Sequence, residues 1–183
     1  SDTLPSLNLV AAVTPDFLVR FAAAKVMARP GLGNIGSGVT VNVSGGNRTI
    51  TAGNPFLDPF RATTYDLGFD WYFNEGALLG LGLFYKDIDT YVQTTRENRV
   101  FNTIPGLDPS LLAGTTALPT DEFIYNFPVN TSGGPLRGAE LNYQQSFTSL
   151  PGKWGNTGMQ LSYTYVDSQI QYTTSTGVPT MKT

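Results

Sequence analysis

The chain has 183 residues, a net charge of −3, no cysteine and no histidine. The missing thiols and imidazoles exclude disulfides, thiolate metal sites and histidine-based catalysis in this chain, and the acidic balance argues against a nucleic-acid partner. With 14% charged residues, 12% aromatic residues and 20 glycines, the composition favours strands joined by turns over helices.

A membrane-spanning helix is not predicted, because no stretch carries 18 consecutive apolar residues. A membrane β-strand needs only about 9–11 residues, and its signal is alternation between apolar and polar positions. Alternation is therefore the pattern that decides how this chain relates to a membrane.

The first two predicted strands cover residues 5–13 and 17–29. Apolar side chains occupy every second position in both, and the "TPDF" sequence between them predicts a tight turn. The alternating positions are Leu7, Leu9, Ala11, Val13, Phe17, Val19, Phe21 and Ala23.

The next two predicted strands, residues 63–73 and 77–92, show the clearest pattern. From residue 65 to residue 73, one face carries only tyrosine, leucine, phenylalanine and tryptophan, while the other carries two aspartates, a glycine and a tyrosine. A helix would spread both sets around its axis, so a strand is predicted. After the "NEGA" turn the alternation resumes, which predicts a hairpin with matched apolar faces.

The last predicted pair covers residues 136–149 and 158–168, joined by the turn "PGKWGNTG". Both strands again alternate leucine and tyrosine with polar side chains. The sequence therefore predicts an all-β fold with about six antiparallel strands in three hairpins.

Two long loops are predicted between the hairpins, over residues 30–62 and 95–134, and both are rich in Gly, Pro, Asn, Thr and Ser. A compact soluble domain rarely carries two loops of this length. Short and long connections alternate along the chain, as they do in outer-membrane barrels, where periplasmic turns are short and extracellular loops are long.

Two environments for the apolar face remain open: a second sheet in a soluble sandwich, or lipid around a transmembrane barrel. The polar face is rich in glycine and alanine, which favours the inner surface of a barrel. Aromatic side chains near the short turns suit a girdle at the periplasmic interface. Because a closed barrel needs about eight strands, six strands predict an antiparallel transmembrane β-barrel segment that belongs to a larger barrel.

The same alternation sorts the candidate site residues into two faces. The polar side chains expected to face the lumen are Arg20, Asp66, Asp70, Lys86 and Glu140. Cross-strand pairing would explain them without a transport role. No nucleophile or companion base accompanies the carboxylates, so the sequence predicts no enzyme and no catalytic residue. The side chains expected to face lipid are Leu67, Phe69, Trp71, Leu79, Leu81, Leu83, Leu141, Tyr143, Leu161 and Tyr163.

Charged residues near the long loops suggest contacts with the cell surface. Lys25, Arg29 and Arg137 lie on the outward-facing positions, where basic side chains would pair with lipopolysaccharide phosphates or be solvated at the rim. Asp87 and Asp89 share one face near the same end, where calcium between them and lipid phosphates is a minor alternative. No metal or cofactor is predicted.

Aromatic residues in the long loops are candidates for ligand contacts. Aromatic rings stack on sugars and on catecholate rings alike, so they do not identify a substrate, and packing within the loop is the alternative for each of them. The candidates are Phe56, Phe60, Phe123, Tyr125 and Phe127.

Six stretches, in order, resemble the C-terminal part of the β-barrel of TonB-dependent outer-membrane receptors of Gram-negative bacteria. One departure is that Asp58 and Phe60 stand where the family often has Lys and Glu. The stretches are "LVRFAAAKVMARPG" (18–31), "NPFLDPF" (54–60), "TYDLGFDWYF" (64–73), "LGLFYKDIDTYV" (81–92), "GPLRGAELNYQQSFTSLP" (134–151) and "LSYTYVDS" (161–168).

The resemblance implies a barrel of about 22 strands around a plug, which imports a scarce nutrient of the siderophore, cobalamin or carbohydrate class. The implied partners are outer-membrane lipid, lipopolysaccharide, the nutrient and the TonB complex, which is contacted through an N-terminal part that this chain lacks. Two other functions remain open: a soluble β-sandwich that serves in binding or adhesion, and a passive porin-type barrel.

Overall fold

The computed structural model describes residues 2–173 and 179–182, and these residues are mainly β-strand. No helix in this part of the chain is long and apolar enough to cross a membrane. The strands are β1 (Ser6–Thr14), β2 (Phe17–Ala28), β3 (Val39–Asn42), β4 (Thr49–Ala52), β5 (Phe60–Asn74), β6 (Ala77–Val100), β7 (Glu122–Ser132), β8 (Pro135–Ser146), β9 (Gly158–Ser168), β10 (Ile170–Thr173) and β11 (Pro179–Lys182).

The helical elements are short and lie in the connections. They are the helix α1 (Leu32–Ile35) and the 3-10 turns Ser44–Gly46, Phe101–Thr103, Pro109–Leu112 and Gly152–Asn156.

Six strands form an open antiparallel sheet, here called the wall, in the order β1-β2-β5-β6-β8-β9. Strands occur at each of the six predicted positions. The tight link between β5 and β6 places Gly76 at a φ of 67°, a left-handed conformation that glycine adopts without steric cost. Such short links hold neighbouring strands in register.

The registers align the apolar positions of all six strands on one face of the wall. One row of directly opposed residues runs across it: Ala11, Val19, Phe69, Leu81, Leu141 and Tyr163. Because side chains alternate along a strand, the odd-numbered residues of the wall make an apolar face and the even-numbered residues make a polar face.

Strand β6 has 24 residues, about twice the 9–11 residues of a membrane-crossing strand. Its second half, from Thr90 onward, extends beyond the wall. Its pairing with β8 ends at Asp87 and Pro135, and its pairing with β7 resumes at Thr90 and Ser132 in the same register. β7 and β8 are therefore one long partner of β6, interrupted at residues 133–134. At this level β6 also shifts its register against β5 by one residue, as in a β-bulge.

Above this level, the two long connections come together. β4 pairs in parallel with β7, and β3 pairs antiparallel with β4. We call the assembly of β3, β4, β7, residues 90–100 of β6 and residues 101–121 the cap. The cap contains the buried hydrophobic cluster of the described residues: Ile50, Phe101, Ile104, Leu112, Ala117 and Phe123.

The predicted loop over residues 95–134 is wrong at both ends, because β6 continues to Val100 and β7 occupies Glu122–Ser132. The predicted loop over residues 30–62 likewise contains β3 and β4 and ends where β5 begins, at Phe60. From Gln93 to Arg99, β6 is polar on both faces and carries no alternating apolar signal. Its strand conformation comes from the ladder of hydrogen bonds to β7.

Candidate functional site

The polar face of the wall carries an ion pair between neighbouring strands. Arg20 on β2 and Asp70 on β5 approach to 3.0 Å between Nε and Oδ2. The two residues lie on a diagonal, since Arg20 stands opposite Gly68 and Asp70 opposite Leu18. Both side chains remain partly exposed, so the pair contributes little stability and mainly fixes the direction of the guanidinium.

Glycines in the middle of the polar face leave space there, because they have no side chains. A Cβ at Gly80 would meet Asp70 Oδ1 at 3.4 Å, and one at Gly82 would meet the Cβ of Glu140 at 3.9 Å. These distances are ordinary van der Waals contacts, so small side chains would fit. The result is an open cavity of about 340 Å³, lined on the polar face by Asn8, Val10, Arg20, Ala22, Asp66, Gly68, Gly82, Phe84 and Glu140.

Phe84 is a large apolar side chain on the polar face. Its ring lies across Gly138 on the neighbouring strand, and a Cβ at that glycine would clash with the ring and with the carbonyl oxygen of Tyr165. The Lys86 Nζ lies 5.9 Å from the centroid of the Phe84 ring, within the range of a cation–π contact. Gly138 is therefore needed for close packing here.

All five polar residues predicted to share a face do so. Arg20 and Asp70 form a pair, and Asp66 and Glu140 lie around the same cavity. Lys86 stands opposite Thr64, beyond the lining of the cavity. The structure thus brings four of the five together.

The ten residues predicted to face lipid all occupy the apolar face. Many of them are exposed: Leu81 keeps 37% and Tyr163 keeps 67% of its surface. Aromatic rings cluster where the short turns lie. Phe73 stacks on Tyr143 with centroids 6.1 Å apart and lies 5.4 Å from Trp71, while Phe17 stacks on Phe69 at 6.4 Å.

The cap carries a cationic and aromatic group whose two rings are predicted from the sequence but whose arginine is not. The Arg99 guanidinium lies 5.7 Å from the Tyr125 ring centroid and 5.8 Å from that of Phe127, and these two rings stack at 4.7 Å. Arg99 also pairs with Glu97 at 2.8 Å. The sequence predicts a loop at Arg99 and Glu97, and only the pairing of β6 with β7 places them beside the rings.

The predicted ligand-loop aromatics separate by burial. Phe123 is 1% exposed and packs against Phe101 at 5.4 Å between centroids, so it belongs to the cap core and not to a ligand surface. Phe56 is 90% exposed. Phe60, at the start of β5, is half-buried, as are Tyr125 and Phe127.

Several charged residues at the cap end of the wall form ion pairs. Arg61 binds Asp2 through two hydrogen bonds of 3.2 and 3.3 Å, and the hydrogen bond from Arg61 holds the pKa of the Asp2 carboxyl below its usual value. Arg137 pairs with Asp167 at 2.9 Å. The described residues contain no group of three or more side chains that could hold a metal ion.

Comparison with known proteins gives a family match over almost the whole chain. Residues 1–181 match the family model described as TonB dependent receptor-like, beta-barrel. A search of curated proteins gave no significant match.

Several solved structures share the fold. The siderophore receptor PirA from Acinetobacter baumannii is 20% identical with a TM-score of 0.65, and the alignment covers 97% of this chain and 24% of that one. The siderophore receptor PirA from Pseudomonas aeruginosa is 17% identical with a TM-score of 0.57, covering 94% and 31%. A ferric enterobactin receptor mutant (PfeA) from P. aeruginosa is 16% identical with a TM-score of 0.58, covering 92% and 25%. This chain spans about a quarter to a third of their length.

Proposed function

Because this chain belongs to the TonB dependent receptor-like β-barrel family, whose members are non-enzymatic transporters of the outer membrane, we propose that it forms part of the barrel wall of a receptor that imports a scarce nutrient. Its share of the wall is the six strands, and its share of the outer surface is the cap. The barrel has about 22 strands around a plug, so most of the receptor lies outside this chain.

The apolar face of the wall is the observation that carries the proposal. Six strands place leucine and aromatic side chains in directly opposed rows, and these side chains stay exposed. An exposed apolar sheet of this extent is unfavourable in water but stable against lipid. The apolar face is therefore the lipid-facing surface, and the polar face with its glycines lines the lumen.

The lengths of the connections give the wall its orientation. Trp71, Phe73 and Tyr143 lie beside the short turns, which places those turns at a membrane interface, since aromatic residues gather at both interfaces. Outer-membrane barrels have short periplasmic turns and long extracellular loops, so the short turns lie at the periplasmic side and the cap lies outside the cell. Lys25, Arg29 and Arg137 are then near the outer leaflet, where the phosphates of lipopolysaccharide are available to basic groups.

The ligand we propose is a ferric siderophore. The support is that the structural neighbours above are siderophore and ferric enterobactin receptors. The cap agrees with such a ligand, since Tyr125 and Phe127 offer ring faces beside the Arg99 cation, and Phe56 projects from the neighbouring segment. Cobalamin and carbohydrate are the other nutrient classes. Energy reaches the receptor through its N-terminal contact with the TonB complex.

The two other functions make different demands on the molecule. A soluble sandwich needs a second sheet over the apolar face, whereas side chains across that face are exposed in the described part of the chain. A passive porin needs no energy source, so the dependence of transport on TonB separates it from a TonB-dependent receptor.

The test is siderophore-dependent growth. The complete receptor is expressed in Gram-negative cells that lack their own siderophore receptors, under iron limitation, with ferric enterobactin supplied. We expect growth when TonB is functional and none when TonB is deleted. Growth that persists without TonB would support a passive pore. A protein that stays soluble instead of partitioning with outer membranes would overturn the membrane assignment.

A further inference from the structure

The two long connections share one hydrophobic core although they are far apart in the sequence. Ile50 comes from the first connection, Phe101 and Leu112 from the second, and Phe123 from β7. All four side chains are buried, and Val41, Val43, Leu107 and Tyr125 pack against them. Removing either connection would expose the apolar surface of the other, so each stabilises its partner.

Backbone and charge contacts join the same two connections. β4 and β7 pair in parallel, and the Ile124 N–H donates to the Arg48 carbonyl oxygen at 2.8 Å. The Arg48 guanidinium pairs with Asp121 at 3.0 Å. The first connection is thus an extra strand layer on the long hairpin of β6 and β7.

The cap meets the wall at a narrow irregular level. Residues 133–134 interrupt the strand β7–β8, and a Cβ at Gly133 would clash with the backbone and side chain of Ile88. The register shift of β6 against β5 lies at the same height. β6 and the interrupted β7–β8 strand therefore lose regular pairing at the same level. This level is the boundary between the cap and the wall.

A pair of asparagines fastens the cap to the segment that leads into β5. The Asn130 carboxamide accepts from the Asp58 N–H at 2.8 Å and donates to the Asp58 carbonyl oxygen at 3.0 Å. Asn54 Nδ2 donates to the Pro128 carbonyl oxygen at 3.1 Å. These side chains replace a strand ladder that ends with Asn126, the last residue of β7 that pairs with β4.

We propose that the cap is one cooperative unit, so that the two connections open and close together and never as independent loops. The shared core and the β4–β7 pairing hold the unit together. The unit can change its position relative to the wall at the level of Gly133, where the Asn54 and Asn130 contacts also lie. Residues of either connection that contact the ligand then move together as parts of one unit.

Hydrogen exchange of the complete receptor in outer-membrane vesicles, without ligand, tests this directly. In Phe101→Ala, whose substitution lies in the second connection, we expect exchange to rise about tenfold or more in residues 39–52 as well as in residues 101–121. Phe56→Ala, which removes an exposed ring from the segment after β4, is the matched control and should change neither.

A rise confined to residues 101–121 would overturn the proposal, because it would show that the first connection is stable alone. If Phe101→Ala prevents the receptor from reaching the membrane, Ile50→Val makes a smaller change from the other side of the core and should loosen residues 101–121 in turn. Hydrogen exchange needs neither ligand nor transport, so its outcome does not depend on the proposed function.

A cross-link gives a second test. Thr51 and Asn126 are partners on β4 and β7, and the chain has no cysteine, so the double variant Thr51→Cys with Asn126→Cys places one thiol pair in this stretch. We expect a disulfide to form and siderophore uptake to stay within about twofold of the reduced protein, since paired strands lie within disulfide reach. Failure to cross-link, or uptake that is lost on oxidation and restored on reduction, would contradict a single cooperative unit.

Discussion

The wall and the cap use the same kinds of apolar side chain in opposite ways. In the wall, Leu81 and Tyr163 stand in opposed rows and remain exposed on one face. In the cap, Phe101 and Phe123 are turned toward each other and are almost fully buried. Apolar side chains therefore need burial within the chain only where water is the solvent, and an exposed apolar row is stable where lipid is the solvent.

The largest effect should come from a cavity in the cap. Phe123→Ala should destabilise the cap by about 3–5 kcal/mol, because it removes a buried ring and leaves a void among Ile50, Phe101 and Leu112. The measurement is hydrogen exchange of the cap amides in the complete receptor. Phe69→Ala on the apolar face should cost clearly less, since fluid lipid fills the vacated space. Equal costs at Phe123 and Phe69 would remove the distinction between cap and wall.

A charge on the apolar face should have the next largest effect. Leu81→Arg should cost about 2–4 kcal/mol in folding of the complete receptor into phospholipid bilayers, because it brings a guanidinium into the hydrocarbon. Gly82→Ser, one residue along the same strand, faces the cavity on the polar face and should cost much less. Similar losses for both variants would mean that the two faces are wrongly assigned.

A smaller effect is expected at the fastening between cap and wall. Asn130→Ala removes both hydrogen bonds to Asp58 and should weaken protection of residues 54–60 by about 1–2 kcal/mol, measured by hydrogen exchange. Asn98→Ala is the matched control, because the described part of the chain offers the Asn98 side chain no hydrogen-bond partner. An Asn130 variant that behaves like the Asn98 variant would show that this contact holds nothing in place.

The smallest effect is a pH dependence in the second connection. Asp108 accepts a hydrogen bond from the Ser110 N–H at 2.7 Å at the start of the turn Pro109–Leu112, and this bond lowers the pKa of the carboxyl from its usual 3.8. A lowered folded-state pKa means that the contribution to stability is present above pH 3.8 and is lost as the pH falls through the folded-state value. The protection factors of amides 110–113, which are corrected for the slower intrinsic exchange in acid, should therefore fall on acidification in the wild type but not in Asp108→Asn, which stays neutral throughout.

Alternation made the wall predictable. In residues 65–73 the apolar and polar positions separate cleanly, and the strands lie where that pattern places them. The cap was not predictable in the same way. From Gln93 to Arg99, β6 is polar on both faces. Pro128 suggests a loop, yet it lies beyond the last residue paired with β4, where a missing N–H is tolerated.

The candidate residues divide along the same line. The alternation within each strand was enough to predict that Arg20, Asp70 and Glu140 share the polar face. Alternation could not reveal that Phe123 is buried while Phe56 is exposed, because that difference depends on which distant segment packs over each ring. Arg99 was missed for the same reason, since its aromatic neighbours belong to another strand.

Strand alternation was enough to locate the strands and the two faces of the wall, because it is a local property set by the pleat, and six ordered stretches of sequence carried the resemblance to a receptor barrel. Only the tertiary structure decided that β6 and β7 extend beyond the wall, that β4 joins β7 in parallel, and that the connections enclose a core. Those features bring together residues far apart in the chain, and such contacts depend on the summed packing of both segments, which no short stretch of sequence records.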